Sequence, residues 1–199
     1  MSPLPENRSD SVCSPAQQNE FSPEERKILL KLAHDGIAAA FEPRDLPVSP
    51  PSTHLGELRG AFTTLYLHGG LRGCVGYVMP VTPLYRTVIE SARAAAFEDT
   101  RFWPVTEDEV SLLEISLSIL SRLEPIRAED VEIGRHGLLI SMGAQRGLLL
   151  PQVPVEHGWD RLTFLEQTCR KAGLPPDCWQ KAELEAFTAE VFGDRDFAS

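Results

Sequence analysis

The chain has 199 residues, 42% of them hydrophobic and 24% charged. That composition is ordinary for one globular domain, or one domain with a subdomain, and it excludes a disordered or collagen-like chain. With 19 basic and 29 acidic side chains the net charge is −10, which argues against a phosphate-neutralising surface and makes nucleic acid a poor partner.

Residues 1–21 are rich in Ser, Pro, Asn and Gln and lack the basic and apolar regions of an export leader. They are expected to be a flexible tail, with residues 22–199 forming the folded domain. Apolar runs such as Leu148-Leu149-Leu150 are far shorter than the ~20 residues a membrane span needs. Cysteines stand at 13, 74, 169 and 178 with no CxxC spacing. Neither a disulfide framework nor a cysteine zinc site is therefore expected, and a reducing cytoplasm fits best.

Ser22-Pro23-Glu24-Glu25 announces the first helix: serine as cap, proline at the first position, and Glu25 where a capping box wants it. Ile28, Leu29, Leu32, Ala33, Ile37 and Phe41 then recur at helical spacing, and four prolines between Pro43 and Pro51 make an extended connector. Phe62–Leu67 and Leu71–Val78, joined by His68-Gly69-Gly70, predict a hairpin. Thr82 is expected to cap a second helix whose buried side carries Leu84, Val88, Ala92, Ala95 and Ala96. A polar and aromatic loop, Glu98 to Pro104, follows, and Thr106 caps a short helical turn.

Leu113, Ile115, Leu117 and Ile119 alternate with polar residues, the period of a half-buried strand. Ile140 and Leu148–Leu150 flank a Gly143–Gly147 turn and suggest a second hairpin closed by Pro151. Asp160 caps a third helix ending at Gly173, and Ala186–Phe192 reads as one final strand. Hairpins with interspersed helices, and no βαβ alternation, predict an α+β fold with an antiparallel sheet flanked by helices.

The least ordinary stretch is Leu71-Arg72-Gly73-Cys74-Val75-Gly76. Glycines inside a strand weaken it, so they mark a bulge or a close approach to the backbone. Regular strand geometry puts Arg72 and Cys74 on one face, where a guanidinium favours a thiolate. The same arginine, with the Gly73 and Gly76 amides, could instead hold an anion by two-pronged hydrogen bonding. The plainer alternative makes Cys74 a packed hydrophobe, Arg72 the partner of a structural acid, and the glycines a seat for a helix. Asp99, Arg101 and Gln152 are candidates for the shell around such a pocket, with a loop salt bridge and a solvated amide as their simpler readings.

Glu156-His157 has the makings of an acid–base pair, although His157 and His136 read first as turn residues, and His34 with Asp35 has no evident partner. The five histidines show no ligand spacing, and nucleotide-loop and hydrolase motifs are absent, so neither metal nor cofactor is expected. Trp103, Trp159 and Trp179 read as core or interface anchors. RNA or nucleotide binding would need Arg59, Arg72, Arg86, Arg93 and Arg101 gathered on one face.

The hexapeptide resembles that of the AMMECR domain family, and other stretches agree in order: Asp99-Thr100-Arg101-Phe102, Ile115–Leu120, Gly134–Leu138, Leu149–Val153, Gly158-Trp159-Asp160 and Lys171–Leu174. Val75 and Tyr77 depart from the usual isoleucine and threonine. The resemblance covers residues 22–192 and implies two unequal subdomains with the hexapeptide beside a cleft. It also implies association with a Memo-like protein and a radical S-adenosylmethionine protein, and it supplies no reaction. Two readings stand: an enzyme in which Cys74 reacts and Arg72 activates it, or a non-catalytic adaptor that docks partners.

Overall fold

The computed structural model of the chain describes residues 20–197. Helix α1 (Pro23–Ala38) starts at the Ser22–Glu25 capping box, with Pro23 inside its first turn. A proline-rich connector leads to strands β1 (Ala61–Leu67) and β2 (Gly70–Tyr77), then helix α2 (Leu84–Phe97), the short α3 (Glu107–Val110) and strand β3 (Leu113–Leu120). Strands β4 (Glu124–Pro125), β5 (Gly137–Met142) and β6 (Gln145–Leu149) follow. Helices α4 (Gln152–Glu156) and α5 (Arg161–Lys171) then precede β7 (Glu183–Phe187) and β8 (Ala189–Gly193).

The strands make two antiparallel four-stranded sheets, β2-β1-β3-β8 and β4-β7-β5-β6. Each sheet has its own core. Leu29, Ala33 and Ile37 of α1 and Val88, Ala92 and Ala95 of α2 meet Leu65, Ile115, Leu117 and Phe192 of the first sheet. Phe164, Leu165 and Cys169 of α5 meet Leu138, Ile140 and Leu184 of the second. The α+β class with helix-flanked antiparallel sheets follows from this arrangement.

Some expectations are corrected. The stretch Ala186–Phe192 is two strands in two sheets rather than one. Thr188 lies between them, its N–H donating to Ser121 Oγ (2.9 Å) while its carbonyl accepts the Ser121 N–H (2.8 Å). The β3–β4 and β7–β8 connections thus change sheet together, and apolar alternation running through Thr188 hides the break. The turn of the second hairpin is only Gly143-Ala144, Gln145–Gly147 already lying in β6. Pro83, not Thr82, occupies the N-cap of α2, and the Thr82 hydroxyl bonds that of Thr87 instead.

Cys169 and Cys178 form a disulfide, their Cα atoms 6.0 Å apart, where no cross-link was expected. Nothing in a nine-residue spacing identifies the pair. The fold brings it together because Gly173, at φ +73°, ends α5 and turns the chain back. Residues 1–19 of the expected tail lie outside the described residues. Phe21, counted with that tail, is 1% exposed, sits in the first core and stacks on His54 at 4.6 Å.

Candidate functional site

Gly73 of β2 faces α2 so closely that a β-carbon there would lie 2.1 Å from the Ala95 carbonyl oxygen. The glycine lets helix and strand backbones touch, and it fixes the neighbouring Cys74 on the opposite face of the sheet. A β-carbon at Gly76 would meet the Phe62 ring at 2.3 Å, so the two glycines serve different neighbours. Cys74 is half-exposed and pairs in register with Thr64, whose hydroxyl donates to its sulfur at 3.3 Å. Ser116 continues that row on β3 and Gly193 on β8.

The β1–β2 register slips between Leu65 and Tyr66, which pair with Gly73 and Leu71 and leave Arg72 as the extra residue of a bulge. This overturns the alternation that put Arg72 on the thiol's face. Its guanidinium holds Glu109 with two bonds (3.1 and 2.9 Å) and donates to the Trp103 and Pro104 carbonyls (2.8 and 3.2 Å). The side chain is 14% exposed and makes no hydrogen bond to the Cys74 sulfur. Glu109 also accepts the Thr106 N–H at 2.9 Å. Arg72, and then that amide, hold the Glu109 carboxyl below its usual range.

The charge beside Cys74 belongs to Arg101. Asp99 accepts the Cys74 N–H (2.9 Å) while Arg101 donates to the Cys74 carbonyl (3.4 Å), and the two are paired at 2.7 Å. Together they satisfy the outward-facing groups of an edge strand, as a neighbouring strand would. The Arg101 guanidinium and the Cys74 and Arg101 amides hold Asp99 well below the usual carboxylate range. Asp99 is only 6% exposed and Arg101 57%. Gln152 opens α4 after the second sheet's β6 and makes no side-chain hydrogen bond among the described residues.

Two cavities lie away from the hexapeptide. One of about 380 Å³ is lined by residues of α1, the segment after it and α3, including His34, Phe41 and Val110, and a small one by Val78, Leu120 and Phe187. Neither includes a hexapeptide residue.

Residues 30–192 match the AMMECR1 family. A Methanopyrus kandleri protein is 40% identical over 186 residues, covering 87% of this chain and 90% of its own. One from Thermococcus kodakarensis is 45% identical over 161 residues, covering 73% and 78%. The chain belongs to the AMMECR1 family. The crystal structure of an uncharacterized Pyrococcus horikoshii protein is similar to this AMMECR1 chain with a TM-score of 0.64 and 38% identity, covering 83% of this chain and 89% of that one.

The other polar residues of this AMMECR1 chain have mostly structural partners. His34 Nε2 meets Asp194 at 2.9 Å, and Asp194 accepts the Ile115 N–H. His157 stacks on Trp159. His136 accepts the Glu132 N–H, and burial, then the Arg135 charge, push its imidazole below its ordinary value. Glu20, His54 and Glu57 offer ligand atoms within 4.8 Å of one another. Arg59 already bonds both carboxylates and Glu25 bonds the imidazole, so the group works as an ion-pair network beneath Phe21.

Arg59, Arg72 and Arg101 are each paired with a carboxylate. No described helix is long and apolar enough to cross a membrane. Sequence reasoning missed Thr64, Glu109 and the display of Trp103, which is 88% exposed rather than an anchor. The Thr106–Glu109 capping spacing was a signal for Glu109; nothing in the sequence marked Thr64.

Proposed function

We propose that this chain is a non-catalytic docking component of a modification system of the AmmeMemoRadiSam type, acting as its protein A beside a Memo-like and a radical S-adenosylmethionine protein. One observation carries this reading: the charged groups expected to act on a substrate are engaged within the chain. Arg72 is spent on Glu109 and two carbonyls, and Asp99 and Arg101 on each other and on the Cys74 backbone. Freeing any of them would leave a partner charge or amide unsatisfied. What remains available is surface.

The test is a reconstituted system containing the Cys74→Ala variant. Intact assembly and activity are expected, and loss of activity in a folded variant overturns the reading.

One feature favours the enzymatic reading instead: a half-exposed sulfur that accepts a hydroxyl hydrogen bond. In that reading Cys74 reacts with or carries a small anionic group or a modified peptide, with Gly73, Gly76 and Gln152 around it and Arg101 taking the place foreseen for Arg72. Alkylation by iodoacetamide in a Cys13→Ala background tests it. A rate above that of a free thiol, lost in Thr64→Val, would favour the reactive thiol.

A further inference from the structure

We infer that the 98–108 segment is a rigid platform on which a basic segment of a partner protein docks, an arginine or lysine stacking on Trp103; this deepens the docking reading and rests on it. The indole is 88% exposed, whereas Trp159 and Trp179 are half-buried against the second core. Its backbone is nevertheless fixed. Arg72 holds the Trp103 and Pro104 carbonyls, Val105 is buried with its N–H on the Ala96 carbonyl (2.9 Å), and the Phe102 N–H closes a turn on the Asp99 carbonyl (3.0 Å). An exposed aromatic held on a rigid backbone loses little freedom on binding, which is what a binding anchor requires.

The charge around the indole selects the partner. Arg72 and Arg101, the arginines of this rim, are paired with Glu109 and Asp99. Glu98, Glu107 and Asp108 are exposed and make no ion pair among the described residues. The unpaired charge of the rim is therefore negative. Arg101 already stacks on the adjacent Phe102 ring at 5.5 Å, whereas Trp103 has no cation over it among the described residues. An electron-rich ring on a segment whose unpaired side-chain charges are carboxylates suits a guanidinium or an ammonium.

The probe is a fluorescein-labelled, glycine-spaced decapeptide with three arginines, and a peptide with citrulline in their place is the control. Anisotropy is followed at two salt concentrations. The wild-type chain is expected to bind the arginine peptide and not the control. Trp103→Ala should weaken binding about fivefold and Trp103→Phe much less, while Glu107→Gln with Asp108→Asn should weaken it about threefold and reduce its salt dependence.

Two results overturn the inference. One is Trp103→Ala binding as wild type does, which would mean diffuse attraction to an acidic protein. The other is wild-type self-association in sedimentation velocity that Trp103→Ala abolishes, which would mean that a second copy covers the indole. Unchanged melting temperatures establish that the variants fold. Cys74→Ala, run with the same peptide, separates the two proposals: it should bind normally even if it disables the assembled system.

Discussion

The two sheets solve the same packing problem and then diverge. In each, a hairpin glycine lets a helix backbone come into contact: Gly73 against Ala95 in the first, and Gly147 in the second, where a β-carbon would lie 2.3 Å from the Ala172 nitrogen. The second half then buries a cross-link between Cys169 of α5 and Cys178. The first leaves its cysteine half-exposed and gains its rigidity from side-chain clamps, Asp99–Arg101 on the β2 edge and Arg72–Glu109 beneath the Trp103 loop. A clamp holds backbone without covering it. The first half therefore keeps a fixed, uncovered rim and the second does not.

The largest effects are expected at the shared glycines. Gly73→Ala and Gly147→Ala each drive a methyl group into backbone and should cost about 3 kcal/mol or more. Only Gly73→Ala should change the accessibility of Cys74 to iodoacetamide, as read by intact mass. Equal changes from both would mean that the halves do not behave separately.

Replacing Cys169 and Cys178 together by alanine removes a short closed loop and should cost about 2–4 kcal/mol in chemical denaturation, with Cys74 labelling unchanged. Glu109→Gln should cost about 1–3 kcal/mol, because it leaves a largely buried guanidinium without its counter-charge. The pH dependence has a definite sign. Glu109 is held below its usual range in the folded chain, so its contribution is complete above the unfolded value of about 4.3 and is lost as pH falls through the folded one. Thermal melts at pH 7 and pH 3 should therefore differ less for Glu109→Gln than for the wild type. Smallest is Thr64→Val, below about 1 kcal/mol, with its main effect on Cys74 alkylation.

Much of the fold was legible because local chemistry and tertiary structure agree. The Ser22 and Asp160 caps, the alternation of Leu113–Ile119 and the stop at Gly173 each carry a physical reason in a few residues. The sheet crossing at Thr188 and the Cys169–Cys178 bond were not legible, since both depend on contacts between segments far from any motif or without one. The site divides in the same way. Gly73 and Cys74 stood out in sequence, but one bulge residue turned Arg72 from the thiol to Glu109, 37 residues onward. Period-two reasoning fails where a strand gains a residue.

The most direct measurement compares the alkylation rates of Cys74 by iodoacetate and by iodoacetamide in the Cys13→Ala chain at neutral pH and low salt. If Arg72 and Arg101 are spent on their own carboxylates, the anionic reagent should hold no advantage, and the iodoacetate-to-iodoacetamide ratio should be no higher than that of a free thiol. A ratio several-fold above the free thiol, falling in Arg101→Gln, would reveal an uncompensated positive site at the sulfur and contradict the docking account.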